Sequence, residues 1–435
     1  MRIRKRLIVG TVLLAMLALV GCSTTATPTP APATTPAPAT APVQRSVEIF
    51  SWWTGGGEEA GLNALIADFA NKNKDIKVIN AAVAGGAGTN AKAVLQTRMQ
   101  GGDPPDTFQV HAGHELLDTW VLAGKMESLN DIYTANGWND KFPKQLIDMM
   151  SKGGQVYSVA VNIHRSNVLW YNKGIFDSNN LKPPTSFVEF FQVADALKAK
   201  GIPALALGDK EPWTDVHLFE SVLLGTIGTD GYKALFNGQR HWDDPKVKEA
   251  LETYKKMLTY TNSDHKARDW QGASQLVAEG KAAMNVMGDW AKGYFTTDLK
   301  LTANKDFGWV PSPGTAGTFL MLSDSFGLPK GTKHPAEVKE WLKELGSKEG
   351  QDLFNPLKGS IPARTDADKS KYDVYGQSAM ADWASNALAP SITHGAAASP
   401  GFLDKVTNAL DVFSASGDTD QALKAFKAAE AELKF

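Results

Sequence analysis

The chain of 435 residues contains one cysteine, Cys22, so no disulfide can form within it. It also lacks an excess of either charge, because 45 Lys and Arg stand against 47 Asp and Glu, giving a net charge of -2. Such a balance offers no field that would attract nucleic acid or an anionic lipid surface. We therefore expect a fold that its hydrophobic core holds together, and no nucleic-acid partner.

Long hydrophobic runs are missing as well. The longest, Leu7–Val20, is shorter than the ~20 residues that span a bilayer. It follows a basic start and ends in small residues before Cys22, a pattern typical of a secretory signal peptide over 1–21. The pattern resembles a bacterial lipobox, which implies cleavage before Cys22, acylation of that residue and a lipid-anchored, extracytoplasmic protein.

The segment 22–45 is rich in Pro, Thr and Ala and cannot build a core. Proline favours an extended chain of ~3.1 Å per residue, so this segment could reach over several tens of ångströms. We interpret it as a stalk between a lipidated Cys22 and a folded part that begins at Ser46.

Sequence motifs of catalysis are also absent. The chain has no Gly-x-Ser-x-Gly elbow, no His-Glu-x-x-His and no phosphate-binding Gly-x-x-x-x-Gly-Lys-Ser/Thr. Glu58 and Asp324 could be imagined as the carboxyl pair of a glycosidase. His111 and His114 have no Cys or His cluster beside them that would complete a metal site. We expect a protein that is not an enzyme and that needs no metal or cofactor.

Apolar periodicity predicts strands that alternate with helices, which favours an α/β fold of two domains. The predicted strands are 47–51, 77–81, 107–110, 157–161, 168–171, 282–286, 307–310 and 319–325. The predicted helices include 89–100, 187–200, 246–260 and one that begins at Pro335.

Several motifs in a fixed order resemble extracellular solute-binding proteins. They are Ser51-Trp52-Trp53-Thr54, the turn Gly-Gly-Asp-Pro-Pro-Asp at 101–106, and Gly-Lys-Ala-Ala-Met at 280–284 before Gly288-Asp289-Trp290. The resemblance covers 46–435. Within this class of proteins, the chain looks most like the carbohydrate-binding members that feed ABC importers. Segments 162–167, 355–360 and 375–380 are most similar to glucose/galactose-binding proteins of thermophilic bacteria.

This resemblance implies a two-lobed periplasmic-binding-protein-like fold of type II, with parallel-rich sheets flanked by helices. Lobe one would comprise 46–162 and 312–372, and lobe two 163–311 and 373–435. The hinge strands would lie near Val161–Ile163, Pro311–Gly314 and Tyr372–Tyr375.

A sugar offers apolar faces and a rim of hydroxyls, so its site needs aromatic walls and charged or polar hydrogen-bonding groups. Gln109 and His111 share one face of a strand, and Asp324 is an acid in an apolar strand, which is costly unless paired. The resemblance implies a ligand-binding set of Trp52, Trp53, Glu58, Gln109, His111, Trp270, Trp290, Asp324, Lys358 and His394. Whether Glu58 or Glu59 faces the ligand stays open, as does whether one or both of Trp52 and Trp53 do.

The function implied is that of a receptor, expected to be a monomer, that closes around a monosaccharide, glucose or galactose, and then docks on the permease of an ABC importer. Two alternatives remain at this stage. One is a lipoprotein that presents bound sugar to a membrane sensor, and the other is a glycan-processing enzyme.

Overall fold

The computed structural model describes residues 45–85 and 88–433. The predicted signal peptide, the stalk to Gln44 and Cys22 lie outside the described residues. Among the helices of the described part, none has the length and apolar character needed to cross a membrane.

The chain alternates short strands with helices, as the periodicity predicts. The strands are β1 (Arg45–Phe50), β2 (Ile76–Asn80), β3 (Thr107–His111), β4 (Ser151–Lys152), β5 (Gln155–Val156), β6 (Ser158–Ala160), β7 (His164–Arg165), β8 (Val168–Asn172), β9 (Leu205–Ala206), β10 (Met284–Val286), β11 (Phe307–Pro311), β12 (Thr318–Leu322), β13 (Asp324–Gly327) and β14 (Ala387–Pro390). The α-helices are α1 (Gly56–Lys72), α2 (Thr89–Gly101), α3 (Asn130–Ala135), α4 (Lys144–Met149), α5 (Lys173–Ser178), α6 (Phe187–Lys198), α7 (Trp213–Ala234), α8 (Pro245–Leu258), α9 (Trp270–Ala278), α10 (Trp290–Gly293), α11 (Pro335–Leu345), α12 (Lys348–Lys358), α13 (Val374–Ser385), α14 (Pro400–Ser416) and α15 (Thr419–Ala429).

The first sheet has five strands in the order β2-β1-β3-β13-β6. Strand β1 pairs in parallel with β2 and β3, whereas β13 runs antiparallel to β3 and β6. The start of β13 therefore lies at the same edge as the end of β3, and Asp324 stands opposite His111 in the register. This edge collects polar residues from distant parts of the sequence.

Two further sheets have the orders β11-β8-β10-β9 and β14-β12-β7. Their pairings are mixed, with β10–β9 and β12–β14 parallel and the others antiparallel. The sheets are thus mixed rather than rich in parallel pairs, because chain crossings insert antiparallel strands such as β13.

The strand predicted over 319–325 is interrupted at Ser323. Strand β12 belongs to the three-stranded sheet and β13 to the five-stranded sheet, so the chain passes between sheets at Ser323. The Ser323 hydroxyl donates to the carbonyl of Asn162 at 2.6 Å, which ties this passage to the one between β6 and β7. The lobe boundaries and the predicted hinge at Pro311–Gly314 stay predictions.

Two large hydrophobic clusters fill the interior of the described part. In one, Trp341 of α11 packs edge-on against Phe69 of α1. In the other, Trp242 lies between Phe402 of α14 and Phe426 of α15. Helix α10 and the π-helical turn Tyr294–Asp298 that follows it contact α1 and α12. A close approach therefore joins segments that the sequence assigns to different lobes.

Candidate functional site

A buried carboxylate stands at the polar edge of the first sheet. Asp324 is 3% exposed, and its Oδ1 accepts a hydrogen bond from Gln109 Nε2 at 2.8 Å. Its Oδ2 accepts one from Asn162 Nδ2 at 2.8 Å and lies 3.3 Å from His164 Nε2. These donors provide the pairing that a buried carboxylate requires.

Charge around Asp324 keeps it ionised. Burial on its own would raise the pKa of Asp324, but the hydrogen bond from His164 and the charges of Lys358, His164 and His111 lower that pKa well below its ordinary value. The group is therefore a fixed anion and a strong hydrogen-bond acceptor. It is unsuited to deliver a proton as a glycosidase acid would.

His164 connects this carboxylate to a second one. Its Nδ1 is hydrogen-bonded to Asp289 Oδ1, and the other oxygen of Asp289 accepts the Arg165 backbone N–H at 3.0 Å. Burial would lower the pKa of His164, but the charge of Asp289 and the hydrogen bonds to Asp289 and Asp324 together raise it. Asp289 immediately precedes Trp290, so the hydrogen bond between His164 and Asp289 holds the start of α10 in place.

His111 lies beside Trp52 at the ends of β3 and β1. The two rings meet edge to face with centroids 5.3 Å apart, and the Trp52 backbone N–H donates to Gln109 Oε1 at 3.1 Å. His111 Nδ1 pairs with Glu115 Oε2 at 2.7 Å. Burial would raise the pKa of Glu115, but the charges of Lys92 and His111 lower it to about 2, so it stays anionic.

Lys358, at the end of α12, supplies a cation that is 2% exposed. Its Nζ donates to Glu58 Oε1 at 2.6 Å and lies 5.7 Å from the centre of the Trp53 ring. Glu59 is exposed. The geometry thus favours Glu58 over Glu59 as the carboxylate that faces the site together with Lys358.

Trp290 forms the centre of an aromatic and histidine cluster. Its ring centroid lies 5.4 Å from that of His164, 5.5 Å from His217 and 5.1 Å from His394. His394 in turn meets His111 edge to face at 5.3 Å, which joins this cluster to the edge of the first sheet. His111, Trp290 and His394 are each less than a tenth exposed.

Two predicted aromatic walls lie apart from this cluster. Trp53 is 1% exposed and packs against Phe326 and Phe354 in the hydrophobic core, although Lys358 lies over it. Trp270 is buried against Tyr294 with centroids 5.8 Å apart. Of the predicted aromatic walls, Trp52 and Trp290 are the ones that contact the histidines of the site.

One side of the site, formed by helix α7, is absent from the residues predicted from the sequence. Helix α7 carries Trp213, His217 and Glu220, and the first two of these side chains contact Trp290 and His394. Their spacing of i, i+4 and i+7 places all three on one helix face. That spacing was the available signal, but it lies within an apolar stretch that resembles an ordinary core helix.

Chemically, the assembled residues combine aromatic faces with fixed acceptors and donors. Asp324 and Glu58 accept, Lys358 donates, and the ring nitrogens of the histidines can do either. Such a set suits a neutral molecule with many hydroxyl groups.

The buried histidine on α7 gives an acid-dependent stability. Burial lowers the pKa of His217 from 6.5 to about 3. Between these values the unfolded chain binds a proton that the folded chain does not, so stability falls as the pH falls from 6.5 toward 3. We expect the parent protein to lose about 1 kcal/mol more than His217→Gln between pH 6 and pH 5.

Calorimetric melting at pH 7, 6 and 5 would show this as a steeper fall of Tm in the parent. Parallel curves of Tm against pH for the parent and His217→Gln would contradict the claim that buried, neutral His217 causes the loss of stability in acid.

Sequence comparisons place the chain among known proteins. Residues 54–352 match the bacterial extracellular solute-binding protein family. The chain is 39% identical over 382 residues to an uncharacterised ABC transporter extracellular-binding protein of Pyrococcus horikoshii, which covers 87% of this chain and 86% of that protein. It is 35% identical to a probable sugar-binding periplasmic protein of Rhizobium meliloti (80% and 84% covered) and 28% identical to a xylose/arabinose-binding protein of Haloferax volcanii (81% and 77% covered).

Solved structures share the fold. A bacterial solute receptor described as exclusive for β-D-galactopyranose superposes with a TM-score of 0.79 at 18% identity, covering 89% of this chain and 98% of that one. A chitin oligosaccharide binding protein gives a TM-score of 0.78 at 19% identity, again with 89% and 98% covered. The matched family and the relatives are solute-binding proteins and not enzymes. With its two-lobed fold and the family match over 54–352, this chain belongs to the bacterial extracellular solute-binding proteins.

Proposed function

We propose that the protein is an extracytoplasmic receptor that binds a monosaccharide, glucose or galactose, and delivers it to the permease of an ABC importer. The observation that carries this proposal is the buried Asp324 carboxylate, held by Gln109 and Asn162 and placed near Trp290 and His394 through His164 and His111. A fixed anion beside aromatic faces is the arrangement that hydroxyl-rich rings require.

A monosaccharide is the ligand that the resemblance of the chain favours. Relatives and neighbours bind sugars of different sizes, named as xylose or arabinose, galactopyranose and chitin oligosaccharide. The proposal of a monosaccharide therefore depends on the resemblance of segments 162–167, 355–360 and 375–380 to glucose/galactose-binding proteins.

A thermal-shift panel tests the proposal. Glucose, galactose, xylose, maltose and chitobiose would be added separately to the purified protein, and a specific ligand should raise Tm by mass action. We expect glucose or galactose to give the largest shift. A larger shift with a disaccharide would replace the monosaccharide by an oligosaccharide, and no shift with any sugar would refute the receptor function.

If two lobes close around the ligand, a bulkier side chain at their contact should hinder the closure. A Cβ added at Gly293 of α10 would collide with the carbonyl oxygen of Lys358 of α12. If these residues belong to different lobes, Gly293→Ala should hinder closure and weaken sugar binding by roughly tenfold, since overpacking costs about 1–3 kcal/mol. Calorimetry with the sugar and X-ray scattering of the radius of gyration would measure both effects.

Gly101→Ala is the matched control, because a Cβ at Gly101 has open space around it. A different result is expected if Gly293 and Lys358 lie within one lobe. Gly293→Ala would then lower Tm without changing the sugar affinity or the compaction on binding, and the proposed lobe boundaries would be wrong.

The pattern around Cys22 supports a proposal for the location of the receptor. We propose that Cys22 is lipidated and that the Pro-rich stalk tethers the receptor, as a monomer, near its permease, where a tether raises the local concentration. Cys22→Ser should move the protein from the membrane fraction to the soluble fraction and abolish labelling with an alkyne fatty acid. Unchanged labelling of Cys22→Ser would contradict the anchor.

A further inference from the structure

A second buried carboxylate, Glu220 of α7, lies behind the cluster of His217, His394 and Trp290 and reaches the two histidines by hydrogen bonds only through serine hydroxyls. Neither oxygen of its carboxylate is short of donors. Oε1 accepts the hydroxyls of Ser166 and Ser391, both at 2.9 Å. Oε2 accepts the backbone N–H groups of Ile392 at 2.8 Å and Thr393 at 3.1 Å.

The two serine hydroxyls each touch a histidine as well. Ser391 Oγ lies 2.9 Å from His394 Nδ1, and Ser166 Oγ lies 3.2 Å from His217 Nδ1. A hydroxyl has one proton to donate, and an ionised carboxylate can only accept. When each serine donates to Glu220, its oxygen is left to accept, so the Nδ1 atom of each histidine must carry the proton.

A neutral imidazole with its proton on Nδ1 has an acceptor at Nε2. Burial lowers the pKa of His217 to about 3. Burial, together with the charge of His111, lowers the pKa of His394 well below its ordinary value, so both rings are neutral. His217 Nε2 is buried without a partner among the described residues. No described residue bonds His394 Nε2 either. A ligand hydroxyl would satisfy such acceptors.

We propose that Glu220 is a positioning residue which, through Ser391 and Ser166, fixes the ring protons of His394 and His217 on Nδ1 and so makes both Nε2 atoms hydrogen-bond acceptors for hydroxyl groups of the ligand. The identity of the ligand in this inference rests on the proposed function. The positions of the ring protons do not, because they are a property of the sugar-free protein.

Glu220, His217 and His394 also have a spacing that could hold a divalent cation, because one possible ligand atom of each lies within 4.8 Å of the others. The hydrogen bonds of Glu220 favour the proton-positioning role instead. Its oxygens already accept from four protein donors, which a cation would have to displace.

Substitution of the carboxylate by an amide should reverse the tautomer. In Glu220→Gln the amide oxygen must face the N–H groups of Ile392 and Thr393, so the amide nitrogen lies toward Ser166 and Ser391 and donates to them. The Ser391 hydroxyl is then free to donate to His394 Nδ1, which moves the ring proton to Nε2. The acceptor for the ligand becomes a donor.

Nitrogen-15 NMR of the histidine rings in the sugar-free protein tests this directly, because the ring nitrogen shifts and their proton correlations distinguish the two tautomers. Burial raises the pKa of Glu220 to about 7, so spectra are taken at about pH 8.5, where the carboxylate is ionised. The groups that face it, His217, His394 and Tyr232, are neutral at that pH. We expect a proton on His394 Nδ1 in the parent and on Nε2 in Glu220→Gln.

Glu249→Gln is the matched control, because Glu249 is an exposed residue of α8 that pairs with Lys246. It should leave the tautomers unchanged. A proton on His394 Nε2 in the parent, or the same tautomer in the parent and Glu220→Gln, would overturn the inference. If Glu220→Gln does not fold, Ser391→Ala replaces it, and an unchanged His394 tautomer in Ser391→Ala would overturn the inference equally.

Sugar affinity gives the second readout. Calorimetry should show roughly tenfold weaker binding in Glu220→Gln, with Tm close to that of the parent, as expected when one ligand hydrogen bond is lost. A parent that binds no sugar but shows the Nδ1 tautomer would refute the proposed function and keep the inference. A parent that binds sugar with unchanged tautomers in Glu220→Gln would refute the inference alone.

Discussion

Asp324→Ala is expected to weaken sugar binding by roughly ten- to a hundredfold, or about 1.5–3 kcal/mol, the worth of a hydrogen bond to a charged group. The side chain is the common acceptor of Gln109 and Asn162 and lies 3.3 Å from His164. Its removal takes an anion from the ligand and leaves these three groups without their acceptor. Isothermal calorimetry with glucose and galactose would measure the loss.

Asp420→Ala provides the matched control for Asp324→Ala. Asp420 is an aspartate of α15 whose side chain is 81% exposed and pairs with Lys248 on the surface. Its removal should change the affinity little, because exposed ion pairs contribute little. Equal affinities for the parent and Asp324→Ala would mean that the carboxylate organises the core without touching the ligand.

Trp290→Leu is expected to have the second large effect. The Trp290 ring contacts three histidines of the site, and as an indole it offers a large flat face to an apolar side of a sugar. Truncation of a tryptophan at the centre of a binding site costs about 2 kcal/mol or more, so the affinity should fall by roughly thirtyfold. Leucine keeps much of the apolar volume and limits the loss of Tm.

Trp270→Leu is the informative comparison. Trp270 packs against Tyr294 and not against the cluster around Trp290, so its removal should lower Tm with a smaller effect on affinity. Calorimetric titration and melting of both variants separate the two roles. If Trp270→Leu weakens binding as much as Trp290→Leu, the ranking from the geometry is wrong and the wall implied by the resemblance is right.

Periodicity alone predicts most of the strands and helices, because their apolar faces are regular. It places β3, α6 and α8 within about two residues of their positions in the structure. It fails at Ser323, where extended chain on both sides hides the passage from one sheet to another. A polar hydroxyl that bonds the Asn162 carbonyl marks this passage, and nothing in the local sequence announces that partner.

The candidate site could be predicted where residue chemistry conflicts with the local pattern. Asp324 stands out as an acid in an apolar strand, and Gln109 and His111 as polar residues at a strand end. Glu220 and His217 give no such signal, because their partners at 391–394 lie far along the chain. Trp53 and Trp270 are both buried, because a tryptophan beside polar residues can equally fill a core, and their contact with the ligand stays a prediction.

We propose that Asp324 and Trp290 help to bind a monosaccharide, and calorimetric titration of the parent with glucose and galactose tests this most directly. We expect one binding site per chain for at least one of the two sugars, with affinity lost in Asp324→Ala and kept in Asp420→Ala. Absence of heat with both sugars in a folded parent, or equal binding by Asp324→Ala, would contradict it.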